Sequence, residues 1–304
     1  MCKLQFKIIG LWKKKISILK EVMAFIGVMV TLNDLFKMIN IELLVNIFNR
    51  LIEIIFLLIG GAFFISVYKN CPKNECIYRV KNVKSELFVS ICLGDVLNDK
   101  GNILIPSNSC FDTSMDNGII SVECVQGQFQ KMYYPENTSM LDKSIYEALK
   151  DNNSFKNIKR DYPMKSKRYP LGTIAKLNVV NNGSSKRIYL LAVADTNKFC
   201  KTENLTVDTY LHMLENFWKQ MSIYGHTEGR LAMSVLGVGK AGYPIGVEEA
   251  IAYIVSSYIS AAKNNSLVGN LAIYIDWNAI NHKKIDVRKI NKHVEAMCEY
   301  ETIR

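Results

Sequence analysis

Val235-Leu236-Gly237-Val238-Gly239-Lys240-Ala241-Gly242-Tyr243-Pro244-Ile245-Gly246-Val247-Glu248-Glu249-Ala250 is the stretch on which the reading of this chain turns. It follows an apolar run at 230–236 that reads as a strand. It precedes a run at 246–263 that reads as a helix, with Val247, Ala250, Ile251, Ile254, Val255 and Tyr258 on its inner face. Gly237, Gly239 and Gly242 have no Cβ, so the backbone there can approach a diphosphate closely. Exposed N–H groups and the following helix N-terminus supply positive potential, and Lys240 adds a formal cation. A bland structural turn has the same composition. The Rossmann fingerprint also resembles it, but that motif opens its domain and carries an acid about 20 residues on. Here the loop lies late in the chain, and the acid that ends the next strand is the distant Asp276.

Working outward, strands are expected at 87–92, 102–105, 173–180, 186–194 and 271–277, with the turn Asn181-Asn182-Gly183 joining two of them. Helices are expected at 118–127, 140–150, 205–224 and 286–298. On the third of these, Leu211, Leu214, Trp218 and Met221 form one stripe. Mixed strands and helices over this length imply a three-layer α/β/α domain with a mixed sheet, placed at 85–304.

A second segment, Gly94-Asp95-Val96 followed by a strand ending in Pro106-Ser107-Asn108-Ser109, places an acid directly after one strand and an amide after the next. The carboxylate of Asp95 can accept the exocyclic amine of adenine, and the amide of Asn108 can meet a ribose hydroxyl. Turn formation or capping is the structural alternative for both residues.

Together these segments resemble a macro domain over roughly residues 85–300. The resemblance implies that Asp95, with Val96, binds adenine. It also implies that Asn108, Ser109, Phe111, Asp112, Thr113, Gly118 and Ile119 surround the distal ribose, and that Gly237, Val238, Gly239, Lys240, Ala241, Gly242 and Tyr243 wrap the diphosphate. The sequence departs from the family's ADP-ribosyl hydrolases. Ile105 stands at the first Asn of their Asn-Ala-Ala-Asn signature, and residues 111–118 replace a Gly-rich stretch. With Phe111-Asp112-Thr113 and Tyr169-Pro170-Leu171-Gly172-Thr173, the variant is similar to the membrane-anchored macro-domain effectors of Thoeris-type antiphage defence. That resemblance implies a non-enzymatic sensor with no cofactor. Its ligand would be an ADP-ribose derivative, such as histidine-ADP-ribose, made by a partner TIR-domain enzyme. On binding, the protein would oligomerise and breach the membrane. The rival is a membrane-tethered ADP-ribosyl hydrolase using Asp112 or Asp116, and a third reading is a tethering scaffold.

The amino-terminal region carries the membrane expectation. After a basic stretch at 1–15, residues 16–36 and 47–68 are apolar runs of the length a bilayer span requires, about 20 residues. A two-helix hairpin over 16–68 is therefore expected, with a linker at 69–84; a soluble helical hairpin is the alternative. Arg50 and Glu53, three apart, share a helix face and can pair. The Lys-rich flanks place both termini, and the macro domain, on the cytoplasmic side of the plasma membrane. The net charge of +10 gathers at these flanks and at 156–168, with no nucleic-acid-binding signature, so no nucleic-acid partner is expected. The eight cysteines form no disulfide or metal framework, and none of the four histidines makes a metal-ligand pair.

Overall fold

The computed structural model describes isolated positions between Gly27 and Gly61, and residues 73–300 except 82–85, 136–137, 162, 182–183, 200, 224–228 and 284. The chain divides into two compact units, Met1–Lys73 and Asn74–Arg304.

In the first unit the described positions are almost all helical, and Arg50 and Glu53 pair at 3.6 Å. Among the described residues no helix is long and apolar enough to cross a membrane. Most of the hairpin expected over 16–68 lies outside them.

The second unit runs β1 (Glu75–Arg79), β2 (Phe88–Leu93), β3 (Asn102–Asn108), α1 (Val125–Tyr133), α2 (Thr138–Leu149), β4 (Lys156–Asn157), β5 (Lys167–Arg168), β6 (Ile174–Asn181), β7 (Ser184–Thr196), β8 (Thr202–Glu203), α3 (Val207–Ile223), β9 (Arg230–Ser234), α4 (Val247–Asn264), β10 (Asn270–Ile275), α5 (Trp277–Lys283) and α6 (Val287–Tyr300). The main sheet has the order β1-β2-β10-β9-β3-β7-β6, with β8 added along β7. From β2 to β7 neighbouring strands are parallel, whereas β1 and β6 close the two edges antiparallel. The sheet is therefore mixed, as expected. The central strands read as near-continuous apolar runs because both faces are covered.

Alternation along the strands assigns the faces. Ile103 and Ile105 of β3, Ile188, Leu190 and Ala192 of β7, Ala232 of β9 and Ala272 of β10 pack with Phe129 of α1 and with Leu141, Ile145 and Leu149 of α2. The intervening residues Leu104, Tyr189, Leu231, Met233, Leu271 and Ile273 are buried on the opposite face, where α3, α4 and α6 lie side by side. Trp218 of α3 packs at a tilt against Tyr258 of α4, ring centres 5.3 Å apart, and donates its Nε1–H to Ser257 Oγ at 2.9 Å.

Three local readings are corrected. The residues 118–127 do not form one helix: a 3-10 turn at Asp116–Gly118 is followed by α1, which starts at Val125. Gly127 allows the chain to fold back there, because a Cβ would lie 2.2 Å from Ser121 O. On α3, Leu211 faces outward at 41% exposure, and the buried stripe is Tyr210, Met213, Leu214, Phe217, Trp218 and Met221. The expected linker 69–84 contains a strand, so the folded unit begins at Asn74 rather than at 85. β1 pairs with β2 along its whole length, and Asn291 of α6 reaches its Cys76. Of these partners α6 lies far along the chain, so the cover on the strand is not marked locally. The turn at 182–183 lies outside the described residues.

Candidate ligand-binding cleft

The connection from β9 through α4 to β10 runs on one face of the sheet. The connection from β3 to β7 carries α1 and α2 on the other. Crossovers that leave adjacent parallel strands in opposite directions part at their carboxyl ends, and ligands bind in the crevice so formed. Here the crevice is a cleft of about 770 Å³, within the ordinary range for small-molecule sites. Gly94, Asp95 and Val96 line it after β2, and Asp276 lines it after β10. Val235 and Gly237–Ala241 follow β9; Ser107 and Asn108 end β3; Val193, Ala194 and Thr196 lie on β7.

The Gly-rich loop crosses the middle. Gly237 adopts φ +79, and a Cβ there would lie 2.8 Å from the Tyr210 ring and 2.9 Å from the Tyr243 ring. Those two tyrosines stack edge to face at 5.1 Å and carry the loop from below. The Tyr243 hydroxyl donates to Val193 O at 2.8 Å and the Tyr210 hydroxyl to Leu236 O at 3.2 Å. Burial pushes both phenols upward from their ordinary pKa, so both stay protonated donors. At Gly239, by contrast, a Cβ would meet nothing within 4 Å. Among the described residues the N–H groups of Gly239, Lys240 and Ala241 have no acceptor. A row of free amides on an open backbone is an anion-binding surface.

At one end, Asp95 caps the 3-10 turn Val96–Asn98, its Oδ1 accepting from Leu97 N at 2.9 Å. Its Oδ2 has no protein partner among the described residues. Asp276 stands beside this end and caps α5 through Asn278 N at 2.8 Å. At the other end, the N-terminus of α1 faces the cleft through Cys124, Val125 and Gln126, with Gly118 and Ile119 from the loop before it.

The family described as "Thoeris protein ThsA, Macro domain" matches residues 89–276, more than half of the chain. The chain belongs to this family. Thoeris protein ThsA of Bacillus amyloliquefaciens (strain Y2) is 25% identical over 210 residues, covering 67% of each chain. Among solved structures, the Oceanobacillus iheyensis macrodomain with MES bound is 14% identical, covers 72% of this chain and 95% of its own, and gives a TM-score of 0.45. The same macrodomain with ADP is also 14% identical, covers 72% and 100%, and gives 0.44.

Of the residues expected at the site, the macro domain brings Asp95, Val96, Asn108, Gly118, Ile119 and Gly237 to Ala241 to the cleft. Ser109, Phe111, Asp112, Thr113, Gly242 and Tyr243 do not line it. Phe111 is 1% exposed, at φ +53, and packs edge-on against Tyr169 at 5.7 Å. Thr113 donates to Asp142 at 2.6 Å. Asp112 is buried and bridged to Arg160 at 2.8 Å, each side chain 1% exposed. It also accepts from Lys165 N at 2.7 Å and Asn108 Nδ2 at 2.9 Å. Asn108 Oδ1 in turn accepts from the N–H groups of Cys110 and Asp112, both at 3.1 Å. The Asn108 amide thus closes the loop 108–112, of which Asn108 alone lines the cleft. Asp116 is exposed and paired with Ser114 at 3.0 Å, away from the cleft.

Ser107, Gln126, Tyr274 and Asp276 were not expected. Gln126 Nε2 donates to Asp112 O at 2.7 Å, and Tyr274 donates its hydroxyl to Asp99 at 2.8 Å. Asp276 carried the same positional signal as Asp95, an acid directly after a parallel strand. Gln126 carried none, because the start of α1 is set by the fold-back at Gly127. Among the described residues no group of His, Cys, Asp and Glu could hold a metal ion.

Proposed function

We propose that this chain is the effector of an antiphage system and is switched on by an ADP-ribose derivative. Its macro domain binds the signal released when a TIR-domain enzyme consumes NAD, histidine-ADP-ribose being one such conjugate. The amino-terminal hairpin, in the plasma membrane with both termini cytoplasmic, then gathers into an oligomer that breaches the bilayer. The observation that carries this reading is the switch-point cleft. It joins an Asp95 carboxylate oxygen to three backbone amides at Gly239–Ala241, all without a partner among the described residues. Purine amine and diphosphate are the two groups that such ends suit. The family match and the relative named Thoeris protein ThsA support the antiphage setting. The two apolar runs with Lys-rich flanks support the membrane anchor. Binding drives assembly because the ligand favours the assembled state over the resting one.

The two acids of the hydrolase reading are not poised for it: Asp112 is committed to Arg160, Lys165 and Asn108, and Asp116 lies outside the cleft. This supports the binding reading over a hydrolase built on either of them.

The test is thermal unfolding of the full chain with ADP-ribose, its conjugates and NAD. A ligand at 100 times its Kd adds about 2.7 kcal/mol. Permeabilisation of cells expressing the chain, on co-expression of a TIR-domain NAD-consuming enzyme, tests the effector step. Stable binding with intact membranes points to a scaffold, and release of ADP-ribose from a conjugate points to the hydrolase.

A further inference from the structure

We propose that the macro domain docks on an anionic lipid surface through the turn between β7 and β8 and the adjoining β4–β5 hairpin; this rests on the membrane-anchor reading above. The turn at 197–201 presents Phe199, 69% exposed, between the exposed Lys198 and Lys201. Backbone and side chain fix this turn. Asn197 Oδ1 accepts from Phe199 N at 2.9 Å and from Lys201 N at 3.2 Å, and Asn197 N donates to Lys201 O at 2.9 Å. The Lys198 ammonium stands 5.0 Å from the centre of the Phe199 ring. Arg160 and Arg168 tie the hairpin to the start of the turn: Arg160 Nη2 donates to Thr196 Oγ1 at 3.3 Å, and Arg168 Nη2 to Thr196 O at 2.8 Å. On the hairpin Lys156, Lys159 and Lys167 are exposed, and against these five lysines the two segments expose one acid, Asp161. An exposed aromatic ring among exposed cations complements a leaflet with anionic headgroups over an apolar interior.

The sheet puts this patch at the end where the chain enters the domain. β1 is antiparallel to β2, so Glu75 lies opposite Cys92, near the carboxyl end of β2. The strands from β2 to β7 are parallel, so the end of β7 at Thr196 lies at that same end of the sheet. In the order β1-β2-β10-β9-β3-β7 the two points are about 24 Å apart. The folded unit starts at Asn74, and the apolar run expected to span the bilayer ends at 68. Residues 69–73 reach at most about 18 Å even when fully extended. That short tether keeps the entry end of the sheet near the headgroups, and tethering lets a few weak contacts hold. A nucleic-acid strand would instead want a groove with rings set side by side along it. Here a single ring stands out on a turn, the arrangement that suits insertion between headgroups.

The experiment places a reporter on the turn. The full chain and its Phe199→Trp variant are reconstituted with vesicles of phosphatidylcholine, or of an equal mixture with phosphatidylglycerol, carrying bromine on the acyl chains. Subtracting the wild-type fluorescence isolates the added indole. The expected result is a blue shift and quenching of that indole in the mixed vesicles and neither in the neutral ones. Each lysine near an anionic surface shifts the docking equilibrium about fivefold. Lys198→Glu with Lys201→Glu, added to Phe199→Trp, should therefore return the quenching to the neutral-vesicle level. High salt should do the same without any substitution. No quenching in mixed vesicles, or equal quenching in both kinds, overturns the proposal. So does an indole that shifts with single-stranded RNA and not with lipid. Flotation separates the two readings. A chain that floats with neutral vesicles but shows no quenching in mixed ones keeps its anchor and loses the docking face. A chain that floats with mixed vesicles alone, and no longer does so once both lysines are reversed, keeps the docking face and loses the anchor.

Discussion

Gly237 and Gly239 sit two residues apart in one loop and are glycine for different reasons. At Gly237 a positive φ and a Cβ overlap with Tyr210 and Tyr243 make the residue a structural necessity. Gly237→Ala should cost at least about 1–3 kcal/mol of stability, read from urea midpoints. At Gly239 a side chain points into open space. Gly239→Val should leave the midpoint nearly unchanged while abolishing the calorimetric signal for diphosphate ligands. Asp95→Ala should weaken every adenine-containing ligand, by about the 1.5–3 kcal/mol of a charged hydrogen bond; wild-type affinity would remove Asp95 from the site. Cys92 gives a pH test. Burial pushes its thiol up to about 11 from an ordinary 9.0, against the opposing pull of Arg230. A raised folded-state pKa means stability that is fully present below pH 9 and is lost as the pH climbs through 11. Native Cys92 should accordingly resist iodoacetamide at about pH 8 and react on unfolding.

Among elements, the decisive one is the loop after β3. Asn108 turns it, Asp112 anchors it, and Gln126 of α1 and the loop that carries Arg160 and Lys165 reach it from two other parts of the chain. Lys165 also donates to Phe111 O at 2.6 Å, which helps to hold Phe111 at its positive φ. Breaking a buried pair from one side leaves the other charge stranded. Asp112→Ala should therefore cost about 3–5 kcal/mol by urea unfolding, and ligand affinity should fall with it as the floor loosens. Replacing both partners together, Asp112→Leu with Arg160→Met, should recover only part of the stability, because Lys165 N and Asn108 Nδ2 still lose their acceptor. A merely surface loop would show neither effect.

For the folded unit as a whole, the amino-terminal boundary is the testable feature. β1 closes the sheet beside β2, Glu75 pairs with Arg230 at 2.5 Å, and Lys81 N donates to Cys298 O at 3.0 Å. A chain starting at Asn74 should unfold in one cooperative transition. A chain starting at Glu86 exposes the β2 edge and leaves Arg230 with Asp99 alone, so its urea midpoint should be lower and its tendency to aggregate higher.

Local patterning was enough to place the β9–loop–α4 unit, the run of apolar parallel strands, the amphipathic α3 and α4, and the two candidate ends of the cleft at Asp95 and Gly237–Ala241. Period and glycine spacing are properties of neighbouring residues, so they are written in the chain itself. Tertiary structure alone decided that Phe111, Asp112 and Thr113 are ballast under the floor rather than walls. It also decided that β1 belongs to the sheet, that α1 starts at Val125, and that Ser107 ends with a hydroxyl and no partner among the described residues. Most depend on what a residue meets from far along the chain, as Arg160 for Asp112 and α6 for β1. Such partners are chosen by the packing of the whole sheet, which leaves no periodic trace at the residue concerned.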